Sequence, residues 1–328
     1  MKHTTVATGD SPAPRIDLRY LSYVLIVAAA YIATAKLGFS LAFATKQVTA
    51  VWPPTGIAVA ALLIGGYRLW PGIWIGAFVS NAFSNEPLLI AAGIATGNTL
   101  GPLFGVYLLR RFDFDSRIER LRDVLALVLG ASMLAMTITA TNGVVNLALA
   151  GIVPWSDWAF VWRLWWTGDA MGVLLFAPLI LTWSARRRRG NVQAGNVVEA
   201  VALTTALGGA AWLSFMTSFP FAYPLYPLVI WTALRFGQRA TTLAVAAISA
   251  LAIYGTRLGQ GPFVDGSLDR RLALLVMFMA VLALTGLVLG AVTAERRLAR
   301  AQLEAAERRF QVLAETVPQM VWTSDATG

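Results

Sequence analysis

The stretch Leu272–Val292, LALLVMFMAVLALTGLVLGAV, runs for twenty-one residues without a charge. A helix of about 20 residues crosses the roughly 30 Å hydrocarbon core of a bilayer. Backbone groups in lipid have no water to bond, so a spanning segment is either a helix or a strand of a closed barrel. A barrel strand alternates apolar and polar side chains every second residue. Neither Leu272–Val292 nor Tyr20–Ala35 does so, so both are helices.

Working outward, apolar runs recur at about 18–44, 55–67, 70–84, 87–109, 121–150, 158–184, 195–217, 221–236, 239–256 and 270–293. The predicted fold is all-α, a polytopic transmembrane bundle of about ten helices. Composition agrees: 57% of residues are hydrophobic and 13% charged, with mean hydropathy +0.65. A soluble domain carries roughly a quarter charged residues. The first 17 residues lack the apolar core of a removable signal peptide and are expected to be a disordered cytoplasmic tail.

The net charge of +9 does not indicate nucleic acid, because the basic residues sit in short loops between spans. Loops rich in Lys and Arg stay in the cytoplasm. With both termini inside, 20 of the 26 basic residues fall on the cytoplasmic side, among them Arg68, Arg110, Arg117, Arg120, Arg122, Arg186–Arg189, Arg235 and Arg239. Lys46, Arg257, Arg270 and Arg271 fall outside, and Lys36 and Arg163 within spans. The runs 55–67 and 70–84 are short, and a re-entrant hairpin giving eight crossings is the alternative. It would bury Arg68 at mid-membrane, a cost of about 2.5–3.5 kcal/mol on insertion scales, so ten crossings are favoured.

No cysteine and a single histidine, His3, exclude disulfides, thiolate metal sites and paired-histidine ligation. No cofactor or metal is expected. There is no phosphate loop, zinc-protease helix or nucleophile elbow, and no catalytic residue is assigned. Two clusters could form a site instead. Trp52-Pro53-Pro54-Thr55-Gly56 reads as a helix start, since proline fits the first turn; its tryptophan is an interfacial anchor or the rigid lip of a pocket.

In Trp162-Arg163-Leu164-Trp165-Trp166-Thr167-Gly168-Asp169 an arginine, a carboxylate and three tryptophans lie inside an apolar span. Intramembrane ionisable residues are costly and are paired or functional. Arg163 and Asp169 are six residues apart and face different sides of a helix. Each therefore needs a partner elsewhere, with Asn81, Glu86, Asn98, Asn142 and Asn146 as candidates. The candidate sensing or interhelical polar site is Trp52, Pro53, Pro54, Asn98, Arg163, Trp165, Trp166 and Asp169.

Glycines at four-residue spacing, Gly97/Gly101/Gly105, Gly72/Gly76, Gly168/Gly172 and Gly286/Gly290, predict close helix approach. A faint likeness between Ala61-Leu62…Gly66-Tyr67-Arg68 and Ala233-Leu234…Gly237-Gln238-Arg239 suggests a duplicated helix pair. After Val292 the chain becomes charged and alanine-rich through Arg309, and a cytoplasmic helix is predicted over 294–309. Leu298, Ala305 and Val312 recur every seven residues with Ala301 offset by three, a weak seam for a homodimer.

Several of these pieces, in order, are similar to the MASE family, first type: membrane-associated sensory domains at the N-terminus of bacterial histidine kinases and diguanylate cyclases. The resemblance rests on Trp52-Pro53-Pro54-Thr55-Gly56, Tyr67-Arg68-Leu69-Trp70-Pro71-Gly72, Gly76-Ala77-Phe78, Gly97-Asn98-Thr99, Leu121-Arg122-Asp123-Val124, Trp165–Leu174 and Ala177-Pro178-Leu179. Gly101-Pro102 stands where that family usually has an acidic or bulky residue. Residues 310–328, with Pro318-Gln319-Met320-Val321-Trp322, resemble the opening of a PAS domain cut short.

The resemblance implies a multi-pass domain of the bacterial inner membrane that passes a stimulus through the 294–309 helix to PAS and output domains. A histidine kinase is the first expectation for the output, and a diguanylate cyclase or phosphodiesterase the second. Expected partners are the bilayer, a second copy, and a small ligand or membrane protein. A transporter or channel is the alternative reading of the bundle.

Overall fold

The computed structural model describes residues 18–40, 49–84, 87–186, 194–217, 221–316 and 327. The expectations that rest on the tail before Leu18, on Lys46, Glu86 and Arg187–Arg189, and on the PAS-like stretch from Pro318 to Trp322 lie outside them. Among the described residues there is no strand and there are ten helices. They are α1 (Leu18–Ser40), α2 (Pro53–Gly65), α3 (Trp70–Ala82), α4 (Leu88–Arg111) and α5 (Leu121–Leu149). Then follow α6 (Trp158–Ser184), α7 (Ala194–Met216), α8 (Leu225–Phe236), α9 (Gln238–Arg257) and α10 (Leu268–Thr316).

Seven are long and apolar enough to cross a membrane; α2, α3 and α8 are not. The centre of α5, Ala126–Leu134, is wound as a π-helix, a form often found at functional sites. One of its backbone carbonyls, that of Met133, accepts the Trp166 indole N–H of α6 at 2.8 Å, and its Ser132 hydroxyl donates to the Ala170 carbonyl of α6 at 2.8 Å.

Turns sort cleanly to two ends. At one end the Tyr20 hydroxyl donates to the Arg68 carbonyl at 3.0 Å, and Arg110 reaches the Leu62 carbonyl at 3.3 Å with its guanidinium 4.4 Å over the Tyr67 ring. The α2–α3 turn is therefore level with the start of α1 and the end of α4. Gln238 donates to the Ile118 carbonyl at 2.7 Å, and Glu295 of α10 accepts the Leu121 N–H at 3.0 Å. This basic end thus gathers the 112–120 loop, the α8–α9 turn, the end of α6 and the departure of α10.

The joint likeness read in the sequence has a structural counterpart. Gly66 (φ 87°, ψ 168°) and Gly237 (φ 76°, ψ −170°) each hinge a short helix onto the next. This backbone geometry is essentially reserved for glycine. In both quartets, α1–α4 and α7–α10, the second and third helices each pack on the first and the fourth. Both quartets start from the basic end, so the relation is a parallel repeat, with the α5–α6 hairpin between them. Helix α10 continues unbroken through Arg309 to Thr316.

Candidate functional site

Helix α2 packs extensively on α6. Two glycines permit it: a Cβ on Gly56 would lie 2.2 Å from the Gly172 carbonyl oxygen, and one on Gly172 2.0 Å from that of Trp52. The Trp52 N–H donates to the Gly168 carbonyl at 2.8 Å. Gly168 is ten residues into α6, about 15 Å from its start, so α2 begins deep inside the bundle rather than at its surface.

A helix start at that depth would leave orphan N–H groups in an apolar medium. Pro53 and Pro54 occupy the first two helical positions and carry no N–H to strand. The Thr55 N–H turns back to the Trp52 carbonyl at 3.3 Å. The tryptophan is accordingly a wall of the interior, packed on Phe39 at 4.9 Å between ring centres, and not an interfacial anchor. Pro53 and Pro54 are buried beneath it.

Asp169, 1% exposed, sits beside this helix start. One carboxylate oxygen accepts the Thr55 hydroxyl, and the other accepts the Thr139 hydroxyl of α5 at 2.5 Å. Trp165 is a further polar neighbour. No arginine, lysine or histidine forms an ion pair with it among the described residues. What compensates the carboxylate is two hydroxyls and the positive end of the α2 dipole. The asparagines considered from sequence divide: Asn81 and Asn98 line the same cavity as Asp169 without bonding it, and Asn142 and Asn146 do not reach it. Asn142 and Asn146 lie over Gly97 and Gly93, where they fill the α4–α5 seam, and Asn81 donates to its own helix at 2.8 Å. Gly101 permits the approach of Thr139: a Cβ would meet the Thr139 side chain at 2.4 Å, so its absence lets α5 bring Thr139 in.

Above Asp169 is a cavity of about 70 Å³. It is lined by Trp52, Trp165, Asn98 and Asp169, with Phe39 and Leu147 among its apolar walls and Thr49 and Ser84 toward the end opposite the basic loops. That volume holds a few waters or one small polar group, since a water needs about 10–15 Å³ by this measure. Asn98, 6% exposed, donates to the buried Tyr31 hydroxyl at 3.1 Å, and its Oδ1 has no partner. An unpaired buried acceptor and a carboxylate thus share one chamber.

The remaining candidates fall elsewhere. Arg163 is exposed on the far side of α6 and does not join the chamber. Trp166 belongs to a ladder with Trp158 and Trp162, ring centres 6.2 and 6.0 Å apart. Through Trp162, which donates to Thr141 at 3.0 Å, and Trp166 the ladder clamps α6 to α5. Thr139, Tyr31 and Thr49 were not singled out from sequence; only Thr55 lay inside a quoted motif.

At the basic end, the Asp123 carboxylate is fully buried and accepts Arg120 at 2.8 and 2.9 Å and the Asp115 N–H at 3.1 Å. The Asp115 carboxyl is held below the usual carboxylate range, chiefly by its hydrogen bonds from Arg117. The resulting rigid loop presents Ile118, at φ +54°, to Gln238.

An all-helical bundle with a deep, carboxylate-floored chamber, and with one helix running far beyond it, defines a polytopic membrane domain. The MASE1 family model matches residues 23–297, and the chain belongs to that family of membrane sensory domains of signalling receptors. No curated protein and no solved structure matches it.

Proposed function

We propose that this chain is the stimulus-reading module of a bacterial receptor in the inner membrane, its basic end and both termini cytoplasmic. The Asp169 chamber, open away from the basic end, receives the stimulus. Helix α10 carries the response to PAS and output domains, the output being a sensor histidine kinase. The observation that carries this reading is the chamber itself: a buried carboxylate without a counter-ion, beside an unpaired Asn98 acceptor.

A stimulus acts by binding two packings of the bundle unequally. The α2–α6 contact is suited to this, because its hydrogen bonds to Asp169 change when the chamber fills. At the other end of α6, Arg239 of α9 holds the Thr182 carbonyl at 2.8 Å and also bonds the Ala185 carbonyl. Helix α9 packs along α10. On the extension of α10, Leu303, Phe310 and Val312 are exposed, which favours pairing with a second copy.

The native protein, isolated from its own membrane, is expected to have an intact mass well above 35.3 kDa and to take up phosphate from ATP on histidine. Asp169→Leu is expected to fix that uptake at one level whatever stimulus is applied. A native mass near 35.3 kDa with no phosphate uptake overturns the reading. The start of α2 deep in the membrane favours solute transport as the second reading, and solute flux into liposomes carrying residues 1–293 would establish it instead.

A further inference from the structure

A second cavity, of about 1010 Å³, opens at the basic end between α6, α7, the α8–α9 turn and α10. Its cause is the position of α7. Only 17% of that helix's spanning window is buried, against 33–61% in the other six spans. Helix α7 packs on α8 and α9, and toward α6 it leaves a crevice walled by Val197, Ala200, Val201 and Thr204.

The mouth of this crevice is basic. Arg117 and Arg235 line it but are engaged by Asp115 at 2.5 Å and Glu199 at 2.7 Å. Arg186, Arg239 and Arg297 line it as well, and none of the three forms an ion pair among the described residues. Arg239 bonds the last carbonyls of α6, and Arg297 bonds the Leu234 carbonyl at 2.5 Å at the end of α8. Carbonyls orient these guanidiniums and leave their charge uncompensated. Glu119 is the one carboxylate among the lining residues.

Three arginines that line one crevice without an ion pair among the described residues favour an anion that joins them. A long apolar wall beneath suits an acyl chain. We propose that the crevice holds one anionic phospholipid, its phosphate among Arg186, Arg239 and Arg297 and a chain along α7. Gly290, Thr293 and Ala294 of α10 line the same space, so the lipid braces the outgoing helix where it leaves the bundle. Bilayer composition then sets how firmly α10 is held.

The test is native mass spectrometry of the detergent-purified chain titrated with phosphatidylglycerol or phosphatidylcholine. One phosphatidylglycerol adduct is expected, at least about tenfold tighter than phosphatidylcholine. Arg186→Gln, at a side chain with no hydrogen bond among the described residues, is expected to weaken it about fivefold. Thr204→Trp, which projects a bulky ring into the crevice along α7, is expected to weaken it further, with the thermal midpoint of either variant unchanged in phosphatidylcholine. Amide exchange over 290–298 is expected to slow on adding phosphatidylglycerol. Equal binding of the two lipids, or variants that bind like the parent, overturns the proposal. So does displacement by an equimolar amount of glycerol phosphate, which would make the site one for a soluble phosphate.

Discussion

Asp169 is held by hydroxyls, and that decides how the chamber responds to change. A hydrogen bond to a charged group contributes about 1.5–3 kcal/mol, and a carboxylate that loses a donor in an apolar interior has no water to replace it. Thr55→Val keeps the side-chain shape, so it is expected to lower the unfolding free energy by about 1.5–3 kcal/mol. In an Asp169→Asn background the same change is expected to cost under about 1 kcal/mol, because the bond is then neutral. Unfolding in detergent followed by tryptophan fluorescence measures the cycle; equal costs in the two backgrounds would mean that the short Thr55 contact contributes nothing particular to the carboxylate. Asp115 makes the opposite case, in water. Its carboxyl is more acidic folded than unfolded because Arg117 bonds it. The unfolded chain therefore takes up the proton first as pH falls. The stabilisation is complete above about pH 4, the ordinary carboxylate value, and is lost as pH drops through the lower folded value. Amide exchange over 113–120, corrected for its intrinsic pH dependence, is expected to accelerate as pH falls below about 4, and to do so less in Asp115→Asn. An identical pH profile in the variant would remove Arg117–Asp115 as the cause.

At the scale of elements, the chamber exists because α2 and α6 approach to backbone contact. Gly56→Ala and Gly172→Ala each place a methyl inside van der Waals distance of a backbone carbonyl, which no rotamer change relieves. Overpacking of this kind costs about 1–3 kcal/mol. Gly209 of α7 has open space around it, so Gly209→Ala is expected to be neutral, or stabilising by up to about 1 kcal/mol through helix propensity. Thermal midpoints of the three variants rank the effect, and a Gly56 variant as stable as Gly209→Ala would show that the two helices do not touch as described. The glycine pairs were legible in the sequence because small residues at four-residue spacing have one main use in membranes. The depth of α2 was not. A 13-residue apolar run reads equally as a short crossing or a hairpin arm, and only the bond from Trp52 to Gly168 reveals where the run begins. Nor were the carboxylate's partners legible. A threonine in an apolar helix ordinarily bonds its own preceding turn, as Thr99 and Thr182 do here, and nothing local distinguishes Thr139 from them. Arg163 misled for a related reason: a charge inside an apolar run signals a site only if it faces inward, and about a turn and a half from a helix end it can face out.

At the scale of the whole molecule, the distribution of charge and the sorting of turns make one claim. The long apolar runs announced the spans because nothing but a helix hides its backbone in lipid. Arg68, Arg110, Arg117, Arg120, Arg239 and Arg297 then converge on a single end through contacts that a loop-by-loop count of charges cannot display. Positive loops stay inside, so the proposal places this end in the cytoplasm, and the placement is open to direct mapping because the chain has no cysteine. Single cysteines at the exposed positions Ser156 and Ser267, opposite the basic end, are expected to react with an impermeant maleimide added to intact cells. Cysteines at Ser116 and Arg68 are expected to react only after the membrane is opened. The Arg68 site carries the most weight. If α2 and α3 were a re-entrant hairpin, position 68 would lie at mid-membrane and stay unlabelled under both conditions, or react from outside through the chamber. Labelling after permeabilisation alone requires that both short helices cross, which places the Asp169 chamber and the base of α10 on opposite sides of the bilayer. A reversed pattern at all four sites would instead put the chamber in the cytoplasm and make an extracytoplasmic stimulus at Asp169 untenable.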